Sequence, residues 1–92
     1  PAADLSIALA LYSSLRDKAV SDKIIAFGEI GLGGELRNIS HCEQRISEAE
    51  RMGFEKCILP YQALKSINTA KFGIKLIGAR SVRDAFNAIE SQ

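Results

Sequence analysis

The chain has 92 residues, a formal net charge of +1, 47% hydrophobic and 25% charged residues, and no Trp. That length suits one small domain spanning residues 1–92, close to the size at which a single core is only just sufficient. The composition excludes a disordered or low-complexity chain, and the balanced charge excludes a globally basic nucleic-acid binder, so any DNA contact needs a local basic patch or many copies of the domain in a ring.

Pro1-Ala2-Ala3 reads as the first turn of a helix with Pro at its first position, and the spacing predicts this helix from Ala2 to about Asp17. Leu5, Ile7, Ala8, Leu9, Leu11, Tyr12 and Leu15 cover more than one of its faces, as in a helix buried on two sides. The chain opens without Met inside such a helix, which is expected of a fragment whose upstream strands are missing and whose first helix then exposes apolar surface. Ala19 to Lys23 is a polar connection, and Ile24-Ile25-Ala26-Phe27 is an apolar run too short for a helix, hence a buried strand.

Gly33-Gly34 then predicts a tight hairpin turn with positive φ, and Glu35-Leu36-Arg37 is the return strand. Ser40 as N-cap and Glu43 three residues later read as a capping box for a charged helix ending at Met52, with Cys42, Ile46, Ala49 and Met52 on its buried face. Gly53 is its left-handed cap. A strand from Lys56 to Leu59 stops at Pro60, Tyr61 to Ser66 is a helical turn, and Ile67 to Gly73 a mobile loop. Ile74 to Ala79 is the next strand. Ser81 caps the last helix, with Asp84 at its third position and Val82, Ala85, Phe86 and Ile89 as its apolar stripe. Strands alternating with helices predict an α/β fold, a mainly parallel or mixed sheet covered by helices.

Few residue patterns carry chemistry. Cys42, Cys57 and the single His41 have no metal-ligand spacing and read as buried reduced thiols beside an ordinary histidine. His41 and Cys42 make a poor nucleophile pair, because adjacent helix residues do not face each other. Gly28 to Gly34 contains Gly-x-x-Gly-x-Gly-Gly, but a strand follows it rather than a helix N-terminus, so it is a hairpin and not a phosphate cradle. Neither a Gly-x-x-x-x-Gly-Lys-Ser/Thr segment nor a Cys-x-x-Cys occurs. On the charged helix Glu43, Glu48 and Glu50 balance Arg45 and Arg51, which reads as a solvated face. Between Lys65 and Arg83 stand five cations and no acid, which makes Lys65, Lys71, Lys75 and Arg80 the candidate DNA-binding residues. No apolar run approaches the ~20 residues that span a bilayer and no signal peptide is visible, so a cytoplasmic protein without membrane contact is expected.

The strand, glycine hairpin and return strand from Phe27 to Arg37, the charged helix after them and the strand Cys57-Ile58-Leu59-Pro60 resemble the proteolytic domain of Lon-type serine proteases. The opening Pro1-Ala2-Ala3-Asp4-Leu5-Ser6, Ser13-Ser14-Leu15-Arg16-Asp17, Phe27-Gly28-Glu29-Ile30-Gly31-Leu32 and Glu43-Gln44-Arg45-Ile46 leading to Gly53-Phe54 resemble more narrowly the C-terminal domain of the bacterial RadA (Sms) family of DNA repair proteins. The resemblance implies a Lon-like fold lacking its N-terminal strands. It also implies a serine–lysine dyad erased to Ala2 and Glu43, since Ala has no hydroxyl and Glu cannot act as a neutral amine base. It implies a larger parent protein, a cytoplasmic homo-hexamer working on single-stranded or branched DNA in recombinational repair. The zinc, ATP and Mg of that parent are expected outside these residues, which hold no cofactor themselves. A non-catalytic scaffold and DNA-contacting domain is therefore expected. The alternatives are a peptidase using other residues, for which Ser6 is the nearest hydroxyl, and an interaction module docking partners on the Arg45–Arg51 helix.

Overall fold

The fold is built around one strand. In the computed structural model, which describes residues 3–16 and 23–91, Cys57, Ile58 and Leu59 are all fully buried. An uninterrupted apolar run is what a strand covered on both faces requires. The elements in chain order are β1 (Ala3–Asp4), α1 (Leu5–Leu15), β2 (Ile24–Ala26), β3 (Glu29–Ile30), β4 (Leu36–Arg37), α2 (Cys42–Arg51), β5 (Lys56–Pro60), α3 (Tyr61–Lys65), β6 (Lys75–Ala79) and α4 (Val82–Glu90). β5 lies in the middle of a parallel sheet of order β2-β5-β6, with Ile25 beside Cys57 and Cys57 beside Leu76.

Successive residues of β5 feed opposite cores. Ile58 joins Leu5, Leu9, Ala26, Leu36, Ala79 and Ala85 under α1 and α4. Cys57 and Leu59 join Ile46, Ala49, Ala63 and Ile74 under α2 and α3. Each fully buried Leu or Ile contributes about 1.5–3 kcal/mol of burial, so the sheet and its helices hold one another in place. The expected α/β class, with a mainly parallel sheet covered by helices, is what forms.

The antiparallel part is a separate small sheet of order β1-β3-β4. The chain changes partners at Phe27-Gly28: the Phe27 N–H still donates to Ile58 at 2.9 Å, whereas the Gly28 carbonyl accepts from Leu5 at 2.9 Å. A second link runs from Leu36 N–H to the Arg80 carbonyl and from Val82 N–H to Gly34, each at 2.9 Å. The predicted hairpin is present between β3 and β4; of the two turn glycines, only Gly34 (φ 86°) takes the left-handed conformation that glycine adopts without steric cost. The Glu35 carboxylate folds back over this turn, accepting the Gly33 N–H at 3.0 Å and pairing with Arg37 at 3.4 Å.

Five local expectations are corrected. The first helix starts at Leu5, because Asp4 is its N-cap and Ala3–Asp4 pair with β3; Pro1 and Ala2, like the connection from Ala19 to Asp22, lie outside the described residues. That helix is buried on one side only: Leu5 and Leu9 face the core, while Ile7 and Leu11 are each 62% exposed and Leu15 87%. The capping box at Ser40 and Glu43 does not form. His41, at φ 57°, occupies the N-cap position of α2 without a side-chain cap bond, and the Ser40 carbonyl instead accepts from Arg45 Nε at 3.2 Å. Met52 is exposed, and Phe54 packs against the core in its place after the chain reverses at Gly53 (φ 94°). The segment expected as a mobile loop holds a single 3-10 turn, Thr69–Lys71, capped by Asn68. The last helix forms as predicted: Ser81 Oγ accepts from Asp84 N–H at 3.2 Å, Ala85 is buried, and Val82, Phe86 and Ile89 pack on the core.

Candidate functional site

Glu43, expected at a degenerate lysine position, has structural partners. Glu43 sits in the first turn of α2, and its carboxylate accepts from Lys71 Nζ at 3.0 Å and from the Asn68 N–H at 3.3 Å. The lysine and then the backbone N–H hold the Glu43 carboxyl below the ordinary carboxylate range. Two turns along the same helix, Glu50 accepts the Gly73 N–H at 2.8 Å. The two carboxylates clip residues 68–73 onto α2. This tertiary use explains why Glu43 abandons the local cap: a cation and a free backbone donor outcompete the N–H of Ser40.

Ser6, the hydroxyl that follows Ala2 in the sequence, is also engaged. Ser6 Oγ donates to the Asp4 carboxylate, which also accepts from the N–H groups of Ser6 at 2.8 Å and Ile7 at 3.4 Å. The Ser6 hydroxyl, ahead of those backbone donors, lowers the Asp4 pKa. Asp4 and Ser6 line a groove of about 420 Å³ at the C-terminal end of β2, together with Phe27, Glu29, Ile39 and Arg45. The Arg45 guanidinium lies 5.9 Å from the Phe27 ring centre and supplies the described cation of this groove, and an arginine stays protonated above pH ~12. Ala2 itself falls outside the described residues.

The thiols show no sign of activation. Burial pushes Cys57 up to about 12, and it also raises half-buried Cys42. Among the described residues no group of three or more His, Cys, Asp or Glu side chains could hold a metal ion. None of the described helices is long and apolar enough to cross a membrane.

The four candidate DNA-binding cations do not form one patch. Lys71 is bound to Glu43 on α2. Lys75 opens β6 beside Lys56 of β5, and Arg80 follows the other end of the same strand, roughly 16 Å away at ~3.3 Å per residue. Lys65 and Arg80 do come together, through a residue that the charge pattern did not single out. The Arg80 guanidinium lies 4.2 Å from the Tyr61 ring centre, and Lys65 Nζ lies 5.7 Å from the same centre. Contacts of this kind contribute about 0.5–1 kcal/mol at exposed sites. Gly78 makes the arrangement possible: a Cβ there would stand 2.9 Å from Leu64 Cδ2 and 3.1 Å from Tyr61 Cδ1. The signal was available in strand pairing. Pro60 is opposite Ala79, so the residues that follow, Tyr61 and Arg80, leave adjacent strands at the same edge.

Elsewhere the cations are engaged or scattered. Arg51 pairs with Glu48, Arg37 with Glu35, and Arg16 with Glu90 at 3.3 Å. Arg83 lines a shallow groove with Tyr12, Val82, Phe86 and Asn87, where the Tyr12 and Phe86 rings stack at 4.0 Å.

Comparison with known proteins gives long matches. The chain is 42% identical over 91 residues to a DNA repair protein RadA of Streptococcus pyogenes, covering 99% of this chain and 20% of that protein. It is 40% identical over 90 residues to the protein of the same name in Chlamydia pneumoniae, covering 97% of this chain and 20% of that protein. With that of Synechocystis it shares 48% identity over 77 residues, covering 84% of this chain and 15% of that protein. The chain thus spans a fifth or less of the length of these relatives. The family model for subunit ChlI of Mg-chelatase matches residues 1–63, about two thirds of the chain, and the chain belongs to that family.

Proposed function

We propose that the chain is a non-catalytic, Lon-like domain of a DNA repair and recombination protein of the RadA type, a scaffold that holds a ring of copies together and touches the DNA. The observation that carries the non-catalytic half is the engagement of Glu43. A carboxylate held ionised by Lys71 and Asn68 has a structural role and supplies no neutral amine for a serine. Ser6 likewise spends its hydroxyl on Asp4. The scaffold half is supported by Ile7, Leu11 and Leu15, an apolar row along α1 that the described chain leaves uncovered and that a neighbouring surface would bury. The DNA half is supported by the relatives' name and by the Lys65–Arg80 pair.

In this reading the parent protein is a cytoplasmic, DNA-dependent ATPase whose ATP, Mg and Zn sit in other segments. Two measurements test it. Incubation with an unfolded protein at high concentration should give no time-dependent cleavage, and cleavage that survives repurification returns the chain to the peptidases. Single-stranded DNA binding, followed by fluorescence anisotropy at about 50 mM and 200 mM salt, should weaken steeply as salt rises. Salt-independent or absent binding removes DNA contact from the proposal and leaves ring assembly. The rival of partner docking on the α2 arginines has less support, because Arg51 is paired with Glu48 and Arg45 is turned towards Phe27 and Ser40. Were partners docked there, charge reversal at Arg45 and Arg51 should abolish a pull-down without altering DNA affinity.

A further inference from the structure

We propose that Tyr61, Arg80 and Lys65 form a stacking clamp for single-stranded DNA, in which a base lies on the Tyr61–Arg80 stack and Lys65 meets the adjacent phosphate. The clamp deepens the DNA-contacting reading above and rests on it. Three observations converge. The ring is anchored: it follows buried Pro60, and its edge packs over Gly78, where a Cβ would stand 3.1 Å from Tyr61 Cδ1, tighter than ordinary contact. Both cations are exposed, and among the described residues neither head group is in an ion pair, in contrast to Lys71, Arg51, Arg37 and Arg16. The backbone of Arg80 is fixed at both ends, its N–H donating to Asp84 at 3.0 Å and its carbonyl accepting from Leu36 at 2.9 Å, so the guanidinium starts from a rigid point.

The chemistry of this trio favours a nucleic acid over an acidic peptide. A peptide carboxylate needs charge alone and gains nothing from a cation laid on a ring. A guanidinium laid against an aromatic ring presents a flat π-surface of its own, which suits an unpaired base of any identity. Duplex DNA keeps its bases stacked inside and offers only phosphates to such a surface.

The test measures anisotropy of labelled oligo(dT), with an abasic strand of the same length, a duplex and polyglutamate as comparators. Circular dichroism checks that each variant is folded. Tyr61→Leu keeps every charge and should weaken oligo(dT) binding roughly tenfold while leaving the salt slope unchanged. Arg80→Lys should behave like Tyr61→Leu, because lysine restores the charge without the planar stack. Lys65→Gln should lower the salt slope by about one and affect oligo(dT) and the abasic strand alike. The wild-type chain should bind oligo(dT) better than the abasic strand, and Tyr61→Leu should erase that preference. If Tyr61→Leu and Arg80→Lys bind oligo(dT) as tightly as wild type while Lys71→Gln or Lys75→Gln binds weakly, DNA contact stands and the clamp falls. Equal binding of polyglutamate and oligo(dT) overturns the clamp in favour of a docking surface for acidic protein. Loss of all DNA binding in the wild-type chain ends both readings.

Discussion

Two corners of the molecule carry lysines from the same acid-free stretch of sequence, and they are put to opposite uses. At the α2 corner Lys71 meets Glu43 and becomes part of a clip that ties residues 68–73 to the helix. At the α3 corner the side chains of Lys65 and Arg80 meet a tyrosine and, among the described residues, no ion-pair partner. A run of cations in the chain is therefore not a patch in space. What matters is whether a carboxylate from another element reaches the cationic head group, and α2 supplies one to Lys71. Among the described residues neither Lys65 nor the Arg80 guanidinium is in an ion pair, the Asp84 carboxylate taking the Arg80 backbone N–H instead.

The comparison can be broken most severely from beneath the α2 corner. Ile46 is fully buried under that helix, and Ile46→Ala should cost about 2–5 kcal/mol in urea denaturation. An effect below 1 kcal/mol would mean that the helix carrying Glu43 is loosely held. At the other corner, Gly78→Ala forces a methyl group against Leu64 and Tyr61 and should destabilise the fold by about 1–3 kcal/mol. It should also lower oligo(dT) affinity by moving the ring. The smallest and sharpest change is Glu43→Gln. It frees Lys71, so the salt slope of DNA binding should increase slightly in magnitude if that corner can reach the strand. An unchanged slope would confine phosphate contact to the α3 corner.

The same Glu43 pair has a pH signature with a definite sign. Because the folded-state carboxyl titrates below its unfolded value, its stabilising contribution is present above the ordinary carboxylate range. It is lost as the pH falls through the folded-state value and Glu43 takes up a proton. The stability gap between wild type and Glu43→Gln should therefore be open at neutral pH and close in acid. A gap that widens in acid would contradict the assignment.

How far the sequence could be read depended on whether the deciding partner was local. Ser81 and Asp84 cap α4 as expected, because both partners lie within one turn. The parallel strands were legible because Cys57-Ile58-Leu59 has no polar interruption. Ser40 and Glu43 misled, since the winning partner of Glu43 is 28 residues away in sequence and no local pattern announces it. The exposed side of α1 misled in another way: a helix with apolar residues on more than one face reads as buried on two sides, although among the described residues Leu5 and Leu9 are its buried ones. Tyr61 escaped notice because a lone aromatic after a proline says nothing until the register of β5 against β6 places Arg80 beside it. The separate antiparallel sheet consists of two-residue strands, too short to leave a period-two signature.

The central position of β5 has a consequence for how the molecule opens. Its residues are held by strands on both sides and by helices on both faces, so its amides can meet solvent only when both cores separate. Breathing of the hairpin at Gly34, or release of the 68–73 clip, exposes other backbone groups and leaves these untouched. For β5, local opening and global unfolding are one event, and the slowest-exchanging amide protons of the chain belong there.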